Sequence, residues 1–269
     1  MMRFVKYHGL GNEFLIAVVA ELPDGPSELA KELCNGKKSL WADGLIFGIP
    51  HHDKTIDRQM VLFNADGGRA EISGNGIRCL AHELFSANGL EGSLQILTDA
   101  GLRETKFLEG TDDVAIIEVN MGHVDFGPEV TFAELGVQTN FEIVQVGTVD
   151  VGNPHIVLQV ENLNCVEIGH CGPLIEKAWS ENGVNVHAVE IDGRDKISML
   201  TWERGVGVTA ACGSGAIASA AIAMEWGLVD PDVTVSMAGG EGTVSQRDTG
   251  VFLKGESVRI SSHEVRASG

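Results

Sequence analysis

Ser73-Gly74-Asn75-Gly76 and Cys212-Gly213-Ser214-Gly215 are two copies of one pattern, a small nucleophilic residue followed by two glycines that flank a polar one. Each heads an apolar run. Ile77, Leu80, Ala81 and Leu84 recur at helical spacing after the first copy, and Ala216 to Trp226 follows the second. Each copy therefore predicts a helix N-terminus, where several N–H groups lack intrahelical partners and the dipole favours an anion or a thiolate. The glycines let a ligand approach the backbone. The copies stand 139 residues apart in a chain of 269, which predicts two similar halves, each giving one helix end to a shared site. A carboxylate held by both ends would set its neighbouring carbon between Ser73 and Cys212, one side chain on either face. Two proton-transferring groups on opposite faces of one carbon are what stereoinversion requires. GxG spacing alone also marks ordinary helix starts, so the surrounding residues must carry the reading.

Immediately upstream of Ser73 lies the densest polar and glycine stretch of its half, Asn64-Ala65-Asp66-Gly67-Gly68-Arg69-Ala70-Glu71. Upstream of Cys212, Glu203-Arg204-Gly205-Val206-Gly207 plays the same part. Loops of this kind, delivering the chain into a helix end, are where scaffolds carry chemistry. Working outward, Met2 to Tyr7 reads as a strand and His8 to Phe14 as a glycine-rich loop, and Pro26 to Cys34 reads as a helix. Strand-like segments follow at Leu45 to Ile49, Met60 to Phe63, Leu94 to Thr98, Arg103 to Phe107 and Val114 to Asn120. Periodicity weakens from Gly122 to Asn140, which places a domain boundary near residue 120. The second half has strands at Glu142 to Thr148 and Ile156 to Val160, joined by the constrained turn Val151-Gly152-Asn153-Pro154-His155. A helix is expected at Pro173 to Ser180, then strands at Val184 to Ile191, carrying Asn185 and His187, and at Lys196 to Trp202. Short strands at Val233 to Met237, Gly250 to Lys254 and Val258 to Ser261 close the chain. Both halves thus share one order, predicting a β-rich shell around a central helix, twice over. Helices do not alternate with strands and no GxGxxG follows the first strand, so a doubly wound dinucleotide fold is excluded.

The formal charge of −19 argues against nucleic acid and anionic membranes as partners, since both need a basic face. It offers a carboxylate substrate no long-range attraction, so anion binding has to come from local dipoles and a few placed cations. The five cysteines, Cys34, Cys79, Cys165, Cys171 and Cys212, are odd in number and irregularly spaced. They predict free thiols in a reducing, cytoplasmic setting rather than a disulfide framework. They also lack a paired metal pattern, so no zinc or other metal is expected. The start of the chain lacks the uninterrupted apolar core of a signal peptide. Gly205 to Met224 is uncharged, but its Gly- and Thr-rich first half reads as a loop, leaving a buried core helix rather than a membrane span.

With these residues collected, the chain closely resembles the diaminopimelate epimerases. The matching stretches are His8 to Phe14, Asn64 to Cys79, Gly152 to His155, Val184 to Val186, Glu203 to Gly207 and Ala211 to Gly215. They span nearly the whole chain, in family order and spacing. The resemblance implies an α/β (α+β) fold of two similar domains, each a β-barrel-like sheet wrapped on a central helix. The domains would be residues 1–120, joined by a returning strand near 257–269, and residues 121–256. It implies an isomerase that needs neither pyridoxal phosphate nor metal and interconverts LL- and meso-2,6-diaminopimelate, for lysine and peptidoglycan precursors, in the cytoplasm and as a homodimer. Position 73 and Cys212 would serve opposite faces of the α-carbon as base and acid, and both are cysteines in the family. His155 and Glu203 would assist near the reacting centre. The reacting carboxylate would meet N–H groups at Gly74-Asn75 and Gly213-Ser214. Asn12, Asn64, Asn153, Asn185 and Arg204 would hold the distal amino-acid end, with Glu203 also touching substrate. Taken singly, these polar residues read as turn formers, a packed histidine and a surface ion pair; matched together in order they do not.

Three departures from the family pattern stand out. Val208 replaces a glutamate, Ser39-Leu40-Trp41 replaces glycines before Ala42-Asp43-Gly44, and Ser73 replaces the first catalytic cysteine. A thiol ionises near pH 8.5, whereas an alkyl hydroxyl is comparable to water at about 15.7. Using Ser73 as a base therefore costs on the order of 10 kcal/mol more than using cysteine, before local effects. The expectation is an intact substrate site and slowed epimerisation, with water or His155 relaying the proton on the Ser73 side. Two alternatives stand beside it: a related cofactor-independent racemase or isomerase with another substrate, and a catalytically silent ligand-binding homologue.

Overall fold

The computed structural model describes residues 1–35, 40–179 and 183–265, and these divide into two compact units, Met1–Asn120 with Lys254 onward, and Met121–Leu253. The first unit contains β1 (Met2–Gly9), β2 (Asn12–Val18), α1 (Pro26–Asn35), β3 (Gly44–Ile49), β4 (Arg58–Asn64), β5 (Arg69–Ala70), α2 (Gly74–Asn88), β6 (Ser93–Thr98), β7 (Gly101–Gly110) and β8 (Val114–Asn120). The second contains β9 (Asp125–Phe126), β10 (Ile143–Asp150), β11 (Pro154–Val160), α3 (Ile168–Trp179), β12 (Asn185–Gly193), β13 (Lys196–Glu203), β14 (Gly207–Thr209), α4 (Gly213–Glu225), β15 (Asp232–Met237) and β16 (Gly240–Arg247). The last strand, β17 (Gly250–Val265), starts in the second unit and continues into the first from Lys254.

In the first unit the sheet closes on itself. β1 pairs antiparallel with β2, β2 parallel with β3, β3 antiparallel with β4 and β4 parallel with β6. β6, β7 and β8 follow antiparallel, and β17 closes the ring between β8 and β1. Helix α2 packs against the inner face of β1, β2, β7 and β8, while α1 lies on the outside of β3 and β4. Strands lying between the two helices are buried on both faces. Leu15 to Ala17, Leu45 to Phe47 and Met60 to Leu62 are consequently continuous apolar runs, whereas β8 alternates buried and half-buried residues. The enclosed helix is buried from Gly74 to His82 without a break.

The second unit repeats the pairing. β10 is antiparallel to β11, β11 parallel to β12, β12 antiparallel to β13, β13 parallel to β15 and β15 antiparallel to β16. Reciprocal backbone bonds between Val251 and Met121–Gly122, together with β9 on β10, complete the ring. Helix α4 is the enclosed element and is buried over Ala216–Ala223, so its apolar residues surround the axis. Helix α3 takes the outer position of α1, on β12 and β13. The fold is thus α/β (α+β), a β-barrel around a central helix built twice in one chain.

Several elements differ from the sequence expectation. The loop over His8 to Phe14 is a two-residue hairpin turn, with Leu10 and Gly11 both at positive φ (53° and 86°) and Gly9 paired with Asn12. Helix α3 begins five residues before Pro173. Packing outweighs the lost N–H bond there, because Gly172 lies flat on Trp202 of β13 and Trp202 Nε1 donates to Glu176 at 2.7 Å; Ser180 lies outside the described residues. β16 has little strand propensity and forms through its pairing with β15. The two short terminal strands are one sixteen-residue strand, its Gly255 being required by side-chain packing rather than by a turn.

Candidate active site

The second unit assembles its polar residues at the head of α4. Cys212 is the N-cap, with extended backbone (φ −137°, ψ 111°), and its Sγ accepts from Gly215 N–H at 3.3 Å. The N–H groups of Gly213 and Ser214 are the first two of the helix and have no intrahelical acceptor. Ser214 Oγ lies 3.5 Å from Cys212 Sγ. Burial and the neighbouring Glu203 carboxylate push the Cys212 thiol up, outweighing the Gly215 N–H and Ser214 hydroxyl that favour its ionised form. Glu203 is hydrogen-bonded to that thiol and accepts from Thr209 Oγ1 at 2.6 Å. The pair is a proton-sharing arrangement: a thiol that resists ionisation alone, with a carboxylate placed to receive its proton.

Beside it runs a buried chain of polar groups. His155 Nε2 is 2.9 Å from Asn153 Oδ1, His155 Nδ1 is 2.8 Å from His187 Nε2, and His187 Nδ1 is 3.1 Å from Thr201 Oγ1. With His155 donating to Asn153, its Nδ1 must accept from His187 Nε2–H, and His187 Nδ1 then accepts from Thr201. Both rings are held neutral. Burial lowers His187 to about 3, and burial, His187 and Arg204 lower His155 well below its ordinary value. Strand register sets Asn185 opposite His155. The Asn185 side chain accepts from Arg204 N–H at 2.9 Å, which ties the exposed Arg204 to the group.

The first unit presents the same helix end. Ser73 caps α2 with φ −134° and ψ 122°, and its Oγ accepts from Gly76 N–H at 3.0 Å. Serine thus holds the cap geometry that cysteine holds in the other half. Asn75 is 1 % exposed and donates through Nδ2 to Asn12 Oδ1 at 2.6 Å. Asn12 follows the hairpin turn, and Gly9 leaves room for Asn75, since a Cβ there would lie 3.2 Å from Asn75 O. Asp43 accepts from Glu13 N–H and Asn12 Nδ2, while its own carbonyl accepts from Ala65 N–H. Asn64 ends β4, exposed, with its carbonyl accepting from Gly67 N–H and its N–H donating to Gly68.

The first unit therefore gathers Asn12, Ser73, Gly74 and Asn75, with Asn64 at the edge of the group. The second gathers Asn153, His155, Asn185, Glu203, Arg204, Cys212, Gly213 and Ser214. Three supporting residues, His187, Thr201 and Asp43, were given no site role by the sequence reading. His187 had a signal, since it lies two residues after Asn185 and so shares its strand face. A polar residue on the face turned to an enclosed helix needs a partner. Of the departures, Val208 is exposed and pairs with Trp202 in the β13–β14 hairpin, Trp41 is exposed at φ 49°, and Ser39 lies outside the described residues.

Comparison with known proteins agrees with this geometry. Residues 4–127 and 147–260 match the family profile of diaminopimelate epimerase. The chain is 35% identical to the diaminopimelate epimerase of Halothermothrix orenii, with 98% of each chain covered. It is 32% identical to that of Methanothermobacter thermautotrophicus, with 97% of each covered. Among solved structures, a hydroxyproline epimerase from Agrobacterium vitis superposes with a TM-score of 0.78 at 15% identity, covering 98% of this chain and 90% of that one. A phenazine biosynthesis protein from Enterococcus faecalis superposes at 0.71 and 14% identity, covering 99% of each. These two share the fold alone. Two barrels with matching capped helix ends, and full-length sequence similarity on top of them, have one explanation: the chain belongs to the diaminopimelate epimerase family, whose members are isomerases.

Proposed function

We propose that the protein interconverts LL- and meso-2,6-diaminopimelate by two-base proton transfer. The observation that carries the reading is the pair of matched helix caps, Ser73 and Cys212, each with its side chain on the third N–H of its helix. In such a reaction one group removes the α-proton from one face and a second delivers a proton to the other. We assign Cys212 to one face, with Glu203 receiving the thiol proton, and Ser73 to the other. The substrate carboxylate is assigned to the N–H groups of Gly74-Asn75 and Gly213-Ser214. Asn12, Asn64, Asn153, Asn185 and Arg204 are assigned to the distal end, and the neutral His155 to positioning beside the reacting centre. An alcohol is a far weaker acid than a thiol, so the Ser73 face is the slow one, and water relays its proton, since both ring nitrogens of His155 are engaged by Asn153 and His187.

This reading carries with it a place in lysine and peptidoglycan precursor synthesis, a cytoplasmic location and a homodimeric state. Light scattering on the purified protein tests the last. Among the described residues no helix is long and apolar enough to cross a membrane.

Proton NMR in D2O with each isomer tests the activity. The expected result is loss of the α-proton signal at one centre with appearance of the other isomer. Binding without exchange would make the protein a silent ligand-binding relative, the reading that Ser73 favours second. No binding of either isomer would move the assignment to another amino acid.

A further inference from the structure

Arg78, in the second turn of α2, is 0 % exposed and among the largest fully buried side chains. Its Nη1 donates to Gly74 O at 3.0 Å and its Nη2 to Asn75 Oδ1 at 2.7 Å, and its Nε has no hydrogen-bond partner. Both acceptors are neutral. Isolated buried charge is costly unless it is paired, so a guanidinium placed here with no carboxylate partner among the described residues implies that negative charge arrives from elsewhere. The fold makes space for the guanidinium itself. A Cβ on Gly255 of β17 would stand 3.1–3.3 Å from the guanidinium, so glycine there makes the room.

The guanidinium also orders its neighbours. It can only donate, so Asn75 must turn Oδ1 towards it, leaving Asn75 Nδ2 to donate to Asn12 Oδ1 at 2.6 Å and Asn12 Nδ2 to face Asp43 Oδ2 at 3.4 Å. The chain runs from a cation through two amides to a carboxylate, and neither amide can flip without setting donor against donor. Titratable and charged groups on the elements around α2 are Arg3, Lys6, Tyr7 and His8 on β1, Glu13 on β2, Arg103, Glu104, Lys106 and Glu109 on β7, Glu118 on β8, Lys254, Glu256 and Arg259 on β17, and Cys79, His82 and Glu83 on α2 itself. Glu13 is ion-paired with Lys6 at 2.6 Å, and Glu83 with Arg3 at 3.0 Å while also accepting from Tyr7. Cys79 would offset the burial of Arg78 only as a thiolate, and burial lowers Arg78 no further than about 10, so it stays cationic at neutral pH.

We propose that Arg78 is a positioning residue of the Ser73 half-site, locking the amides of Asn75 and Asn12 and supplying the positive charge that holds an anion at the head of α2. The anion is a ligand carboxylate, and a thiolate introduced at position 73 serves as its probe. The inference rests on the reading of residue 73 as a proton-transfer position, but its test needs no substrate, so either can fail without the other.

The probe is a thiol placed at position 73. In Ser73→Cys, the pH dependence of iodoacetamide labelling at residue 73, located by mass spectrometry, should give a midpoint below the ordinary thiol value of about 8.5. In Ser73→Cys/Arg78→Met that midpoint should rise by about one unit or more, and Arg78→Lys should restore most of the shift. A midpoint at or above 8.5 in Ser73→Cys overturns the proposal, and this arm does not depend on Arg78→Met folding. An unchanged midpoint in a folded Arg78→Met protein, judged by circular dichroism, overturns it equally. A residue needed only for packing would alter stability and leave the midpoint in place.

Discussion

At the scale of single residues, Cys212 and Glu203 share a hydrogen bond, and the carboxylate adds to the cost of ionising the thiol. Burial disfavours the thiolate, and a carboxylate alongside disfavours it further. Replacing the carboxylate by an amide removes the repulsion while leaving the burial. Glu203→Gln should therefore label more readily at Cys212 with iodoacetamide at pH 8, several-fold faster than the parent. Turnover should move the opposite way, falling by about 10²-fold or more with loss of the proton acceptor. Parallel loss of both labelling and turnover would contradict the assigned pair and indicate a purely structural Glu203.

Among the elements, the two enclosed helices show how one scaffold was filled differently in its halves. Gly76 and Gly215 occupy the same place, three residues after each cap. A Cβ on Gly76 would meet the tip of Ile46 at 2.7 Å, whereas one on Gly215 would lie 2.3 Å from His187 Cε1. Both partners lie on the third strand of their barrel, two residues past the position opposite Phe14 or His155. An apolar side chain fills the layer in one half and a hydrogen-bonded imidazole in the other. Gly215→Ala should displace His187 from His155 and destabilise the protein by about 1–3 kcal/mol, read from urea midpoints. Combining it with His187→Ala should recover part of that loss, since the clash is removed. Strict additivity of the two changes would show that they do not meet.

The same elements show what the sequence made legible. The caps at Ser73 and Cys212, the apolar helices behind them and most strands could be read from spacing, because local chemistry and tertiary role agree there. The first turn of helix α3 and β16 could not, since Pro173 and the glycines of Gly240 to Gly242 argue locally against what docking on Trp202 and pairing with β15 enforce. Among the proposed site residues, the asparagines and Arg204 were named from matched motifs, and the structure joins Asn12 to Asn75 and Asn185 to Arg204. His187, Thr201 and Asp43 act through other side chains, and long-range contacts of that kind leave little trace in spacing.

For the molecule as a whole, the buried neutral groups set a window of pH stability. His155 and His187 are depressed in the folded chain, by burial first. The unfolded chain therefore binds more protons below about 6.5, and stability, full above that pH, is lost as pH falls from there towards about 3. The slope approaches about 1.4 kcal/mol per pH unit for each imidazole. On the other side Cys34 and Cys79 are raised by burial to about 12. Their contribution is full below the unfolded thiol value near 9 and is lost as pH rises towards 12. Thermal unfolding followed from pH 4 to 10 should show a plateau between about 6.5 and 9, with both flanks falling. His187→Gln should flatten the acid flank, and an unaltered acid flank would contradict a neutral buried imidazole pair.

Residue 73 is assigned as the second proton-transfer position, with an alcohol there limiting the rate, and the proposed activity turns on that assignment. The most direct measurement is the initial rate of conversion of LL- to meso-diaminopimelate by Ser73→Cys beside the parent, under reducing conditions that keep the introduced thiol and Cys212 from pairing as a disulfide. A thiol lowers the cost of the proton step on that face by several kcal/mol, so kcat should rise by about 10²-fold or more. An unchanged or lower rate in a folded Ser73→Cys protein would contradict the claim.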